Sequence, residues 1–313
     1  MNSGNSCRFE YTLKENYIPM QKFILSTDSG CDLSLEAVNS LNIKIIPMTY
    51  SIDGKDYKDT MLPEDLDKFY ASMLDGAAPK TASISIGEFV DHFKAVAEGD
   101  LPILHLTLGS GISGTYSNGV QAVEMLREEG FANEIHLVDS NCASAGYGLM
   151  MVEAAKLRDE GKTAEEVVEY INSIKFGVSP YFTTPDLTYL YRGGRVSKAS
   201  MVIAHALGIQ PILNLDYEGR LGVCDKCRGQ KQTWAKMALH IKDMVTDAEN
   251  QTLYVSHSHA PKIAKDIAEL LQKEVGFKDV YYTEIGTIIG AHTGPGLVAV
   301  FFHGKDRTGS YAK

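Results

Sequence analysis

The chain has 313 residues, 44% of them hydrophobic and 22% charged, with a formal net charge of −10 and a sequence pI of about 5.4. That acidic balance, with no basic cluster, argues against a nucleic-acid-binding role, which needs a positive face to neutralise phosphates. No run is long enough to span a bilayer, the N-terminus lacks the apolar core of a signal peptide, and five scattered cysteines suit a reducing compartment, so a cytoplasmic protein with no integral membrane segment is expected, of a length that suits two domains.

Residues 1–20 are polar without a clear period and read as an N-terminal extension. Residues 22–26 read as a strand, with Thr27-Asp28-Ser29-Gly30 as a polar turn at its carboxyl end, and Ser34 is placed to cap a short helix ending at Leu41. Residues 43–52 are rich in β-formers, and Asp53-Gly54 signals a hairpin before residues 55–57. A helix is predicted over residues 63–74, then a polar connection, APKTASIS, over residues 78–85. Ser85 with Glu88 makes a capping-box pattern that opens a helix through Val96. Residues 102–108 read as a short buried strand, followed by the Gly/Ser loop GSGISGTYSNG and helical spacing over residues 120–129. A strand at 134–138, ending in Asp139-Ser140, precedes a helix at 143–157, and Thr163 with Glu166 marks a second capping box.

This alternation predicts an α/β protein whose N-terminal domain, residues 21–175, holds a parallel sheet flanked by helices. The pattern changes after about Lys175. Two strands turning at Glu218-Gly219 are expected over 211–223, a long helix over 230–245, a strand at 251–256, a helix at 261–275, and strands at 280–285 and 297–302. Residues 176–313 are therefore expected to form an α+β C-terminal domain. No internal repeat or low-complexity tract is present.

The Gly/Ser loop lies at the carboxyl end of a strand, where α/β proteins bind ligands, and its amides can face an anion at a helix start; a plain strand-to-helix turn fits the same residues. Polar side chains gather at Thr81 with Ser83, at Ser110 with Ser113, and in GAHTGPG around His292. Such hydroxyls and an imidazole have donors enough for a carboxylate. As a nucleophile elbow, Gly111-Ile112-Ser113-Gly114-Thr115 departs from G-x-S-x-G at its last position, although Asp139 and His292 complete a triad on paper. Cys224 and Cys227 form a single C-x-x-C without a second pair, which favours ordinary thiols over zinc, and Ser256-His257-Ser258-His259 reads as a polar strand end. Arg192 and Arg195 flank a Gly pair, either as a solvated turn or as a docking site for an anion or an acidic partner.

Six motifs then occur in one order: STDSGCDL (26–33), PKTASIS (79–85), SGISGTY (110–116), YRGGRVS (191–197), GIQPIL (208–213) and HTGPG (292–296). Together, over residues 22–302, they resemble the DegV family of bacterial fatty-acid-binding proteins. The resemblance implies the two-domain DegV-like (EDD) fold shared with dihydroxyacetone kinase relatives, with a long-chain fatty acid between the domains. It implies that Thr81 and Ser113 hold the carboxylate and His292 closes the head-group site, with Ser83, Ser110, Gly114 and Thr115 nearby. It further implies a non-catalytic binding subunit, without cofactor or metal, that presents the carboxylate to an ATP-using fatty acid kinase subunit for acyl-phosphate formation. Arg192 and Arg195 are expected to meet that partner. Two departures stand out: the family's T-S-Q is Thr81-Ala82-Ser83 here, and its serine pair before the SGT turn is Gly109-Ser110. An enzyme acting on small acyl substrates through Ser113 and His292, as a hydrolase or acyltransferase, is the alternative.

Overall fold

Strands alternate with helices through the first half of the chain, and that alternation builds a parallel sheet. The computed structural model describes residues 21–198 and 209–307, so the extension over residues 1–20 and Gly208 of GIQPIL lie outside the described residues. The first half runs β1 (Ile24–Asp28), α1 (Leu35–Ser40), β2 (Lys44–Ile46), β3 (Thr49–Ile52), β4 (Lys55–Lys58), α2 (Pro63–Leu74), β5 (Lys80–Ala82), α3 (Ile86–Val96), β6 (Ile103–Thr107), α4 (Thr115–Glu128), β7 (Ile135–Asp139), α5 (Ala145–Asp159) and α6 (Ala164–Ile174). The second runs β8 (Val178–Thr183), α7 (Thr188–Arg192), β9 (Ile209–Leu215), β10 (Leu221–Arg228), α8 (Gln230–Met244), β11 (Thr252–His257), α9 (Pro261–Val275), β12 (Asp279–Glu284), α10 (Thr287–Thr293) and β13 (Val298–His303).

Strands β2-β1-β6-β7 form a four-stranded parallel sheet, and β4-β3-β5 a small antiparallel one. The order β10-β9-β8-β13-β11-β12 makes a six-stranded mixed sheet from the second half. Strands β1 and β6 are buried along their whole length, as expected of a parallel sheet covered on both faces. One apolar cluster reaches from Leu25 and Leu106 in the first half to Phe182 and Phe301 in the second, and another, with Ile241, Leu271 and Phe302, lies within the second half. No helix among the described residues is long and apolar enough to cross a membrane.

Both capping boxes form: Ser85 and Glu88 close the start of α3, and Thr163 and Glu166 that of α6. Asp53 and Gly54, both at positive φ, make the hairpin turn. Four details differ from the sequence reading. The β-rich run over residues 43–52 is broken at Pro47, which has no N–H for a ladder, so β2 joins the parallel sheet and β3 leaves it. The connection APKTASIS contains β5, which pairs with β3 so that Thr81 lies opposite Tyr50. Helix α4 begins at Thr115 rather than Val120, because its buried stripe is Thr115, Gly119, Ala122 and Leu126; small residues carry the helical period where larger ones do not. Strand β8 was hidden by Pro180, which sits opposite Phe301 of β13 while the β9 ladder begins only at Tyr181, so its missing donor leaves no gap.

The two halves are tied together by Asp32 of the STDSGCDL motif. Its carboxylate accepts from the Gly286 amide at 2.9 Å and from the Ser144 hydroxyl, and so holds the start of α10. Burial pushes the Asp32 carboxyl up to about 8, and Asp28 and Asp59 are raised by the same cause. A folded-state value above the unfolded 3.8 means that this contribution to stability is fully present below about pH 4 and is lost as pH rises toward 8. Buried His92, His257 and His292 are pushed down to about 4, so they act in the opposite sense between pH 6.5 and 4. Above pH 6.5 these histidines add no further slope, and the raised Asp32 carboxyl lowers stability as pH approaches 8. Melting temperature is therefore expected to fall across that window, and Asp32→Asn to flatten the fall. Equal slopes for variant and wild type in pH-resolved thermal melts would refute the assignment.

Candidate functional site

A cavity of about 100 Å3 lies where the loops after β6 and β7 meet the six-stranded sheet and α10. These loops are at the carboxyl ends of parallel strands, the usual place for a ligand in such sheets. Most of the wall is apolar and comes from both halves: Met48, Leu108 and Ala143 from the first, Phe182, Ile288 and Phe301 from the second. The polar wall groups include Thr81, Ser83, Ser113, Arg195, His292 and Thr293.

His292 stands in the last turn of α10, and its Nε2 lies 2.8 Å from the Thr81 hydroxyl on β5. These residues are 211 positions apart in the chain, so the contact exists only because β5 and α10 meet. Gly294, at φ 70°, ends the helix, and the Ser258 hydroxyl donates to its carbonyl at 2.6 Å. The Ser256–His259 stretch thus supports the HTGPG turn. The imidazole packs on Gly193, where a Cβ would stand 2.1 Å from His292 Nδ1. The first glycine of the RGG turn is therefore required by close approach of a side chain rather than by an unusual φ.

Ser113 sits at the start of α4: its hydroxyl accepts from the Thr115 amide at 3.2 Å and lies 2.9 Å from the Thr115 hydroxyl. Thr115 is buried beneath it, and Gly114 is exposed beside Ser83. Ser110 is not part of the cavity wall. It is exposed, and its amide and hydroxyl donate to the two Asp139 oxygens at 3.0 and 2.5 Å. The two arginines are also separated. Arg192 is exposed and borders a neighbouring cleft, whereas half-buried Arg195 lines the cavity and donates to the Ile112 carbonyl at 3.1 Å and to that of Gly193. Arg192 is the more outward of the pair; Arg195 reaches the same cleft but is folded back by the Gly193-Gly194 turn onto the Ser113 loop.

Burial pushes the His292 imidazole down to about 4, and Arg195 adds to the effect, so the ring is neutral at pH 7. Burial also lowers Arg195, which keeps its charge. Among the described residues lining the cavity, Arg195 is the only fixed positive charge, and there is no carboxylate. The polar wall thus suits an anion and the rest suits a hydrocarbon. The triad drawn from the sequence is not assembled. Asp139 binds Ser110 and the Asn141 amide, no hydrogen bond joins Ser113 to His292, and the His292 Nε2 faces Thr81. Cys224 and Cys227 are free thiols on β10.

Sequence reasoning missed Arg195 as a wall residue and nearly all of the apolar lining. Leu190, Ile289 and Leu297 line the cavity, yet in sequence they look like any core residues.

The chain matches the model of the family described as "Uncharacterised protein, DegV family" over residues 22–305. A DegV domain-containing protein of Clostridium perfringens is 32% identical over 289 residues, covering 92% of this chain and 99% of the relative. A Thermotoga maritima protein, whose structure reveals a fatty acid binding function, superposes with a TM-score of 0.79 at 25% identity, covering 91% of this chain and all of that one (100%). The fatty acid kinase B3 protein of Streptococcus pneumoniae, loaded with linoleic acid, gives a TM-score of 0.78 at 20% identity, over 90% of this chain and 99% of that one, a likeness of fold.

Proposed function

The chain belongs to the DegV family, and from that premise we propose that it is a fatty-acid-binding carrier. It holds a long-chain fatty acid between its two domains, residues 21–175 and 176–313, and presents the carboxylate to a cytoplasmic ATP-dependent fatty acid kinase for acyl-phosphate formation. The observation that carries this reading is an apolar cavity with Thr81, Ser83, Ser113, His292 and one arginine in its wall. In this reading Thr81 and Ser113 donate to the carboxylate, His292 donates from its neutral ring, and Arg195 supplies the opposing charge. Arg192 is the arginine left free to meet the kinase. A tail of about fifteen methylenes at about 0.8 kcal/mol each supplies about 12 kcal/mol of gross burial. One hydrogen bond to a charged group adds only about 1.5–3 kcal/mol. The tail therefore sets affinity and the polar group sets orientation, a division that suits a carrier.

The cavity of about 100 Å3 is smaller than the roughly 150 Å3 apolar cavity that takes up one benzene. Loading a full tail therefore requires wall side chains to swing aside. Mass spectrometry of an organic extract of the purified protein tests the proposal. A co-purified fatty acid supports it; an empty protein that also fails to take up oleate refutes it.

Ligand-induced stabilisation separates head from tail. An oleate-bound protein should melt higher by mass action. His292→Ala is expected to reduce that shift while leaving the melting of the unliganded protein nearly unchanged. Gly193→Ala is expected to reduce it at least as much, because a Cβ at 2.1 Å from Nδ1 must displace the imidazole from Thr81. Oleate-induced shifts equal to wild type in both variants would remove His292 from the head-group site.

A further inference from the structure

On the far edge of the parallel sheet, Glu134 and His136 flank the start of β7 with their side chains on one face, two residues apart. The first turn of α6 brings Glu165 to the same place, held there by the Thr163 capping box. The His136 Nε2 lies 3.6 Å from Glu134 Oε1 and 3.8 Å from Glu165 Oε1. Both distances are too long for a hydrogen bond, and the Nε2 atom is buried with no hydrogen-bond partner. All three ligand atoms lie within 4.8 Å of one another. Among the described residues neither carboxylate forms an ion pair with a lysine or arginine.

Two ligand atoms bound at about 2.1 Å to one tetrahedral ion stand about 3.4 Å apart. The observed 3.6 and 3.8 Å are near that separation, and a small side-chain closure reaches it. We propose that Glu134, His136 and Glu165 form a three-ligand site for a divalent transition-metal ion of the zinc type, with water in the remaining position. Imidazole nitrogen and carboxylate oxygen are both zinc ligands, and the imidazole favours such a metal over magnesium or calcium, which prefer all-oxygen shells. The site lies outside the cavity wall and shares no residue with it. Its effect is to pin the edge strand β7 to α6.

The test uses untagged protein and zinc chloride alone. Calorimetric titration is expected to show one zinc site whose affinity falls at least tenfold in Glu165→Gln, and further in the double variant with Glu134→Gln. Both residues are exposed, with side chains 59% and 67% accessible, so these variants keep the fold. His136→Ala should abolish the site. A zinc-soaked crystal should give an anomalous peak between the three side chains. Unchanged zinc affinity in the double glutamine variant, or an anomalous peak only at Cys224 and Cys227, would overturn the proposal.

Discussion

Replacing Arg307 by alanine is expected to lower the melting temperature by roughly 5–8 °C, from a loss of about 3–5 kcal/mol. Arg307 is 2% exposed and has the largest side chain among the fully buried residues. Its guanidinium donates to the carbonyls of Asn141, Lys175, Phe176 and Asp216, at 2.9 to 3.2 Å, and to the Asn141 side-chain oxygen at 3.1 Å. One residue thus joins the loop before α5, the junction between α6 and β8, and the turn between β9 and β10. A planar fork with five donors is the group that can do this; an ammonium cannot match the geometry. Truncation leaves buried acceptors unmet and opens a hole, and water entering that hole limits the loss. Arg307→Lys should recover only part of the stability. Chemical denaturation with all three proteins decides the matter: a loss under about 1 kcal/mol for the alanine variant would show that the network adds nothing beyond what water supplies.

The second large effect is expected on binding. Ala143 lies on the loop before α5, half-buried, and lines the cavity. Ala143→Phe grows a phenyl ring into a cavity of only about 100 Å3. It should exclude enough of the tail to weaken oleate binding at least 100-fold, which is about 2.7 kcal/mol or the burial of only three to four methylenes. The unliganded protein should melt at or slightly above the wild-type temperature, because the ring fills a void instead of displacing packed atoms. Binding of a fluorescent fatty acid, read beside thermal melting, checks both halves. Wild-type affinity in the variant would mean that the tail does not run past Ala143. A large drop in melting temperature would mean that the ring is forced into the core.

The sequence by itself determined the elements whose causes are local. Ser85 with Glu88 and Thr163 with Glu166 capped α3 and α6 as their spacing requires, because a capping box needs only four consecutive residues. Asp53-Gly54 made its hairpin for the same reason. Strands β1, β6 and β13 were legible because a strand covered on both faces is mostly apolar without alternation, even though Ser26, Thr27, Asp28 and His105 are buried with the apolar residues. The family was legible as well, since it rests on the order of short motifs. What the tertiary structure decided is everything set by contacts between distant residues. The meeting of Thr81 with His292 spans 211 positions. Asp32 holds the start of the helix that carries His292, and Gly193 gives that ring its room. Arg195 turns inward because a glycine pair reverses the chain beside it, while Arg192 stays out. No local period encodes these contacts, because each needs residues far apart in the chain, most of them one from either half. The apolar wall could not be read for a related reason: Leu190 or Phe301 facing a cavity has the same composition as Leu190 or Phe301 facing a core, and only the empty space beside it tells them apart.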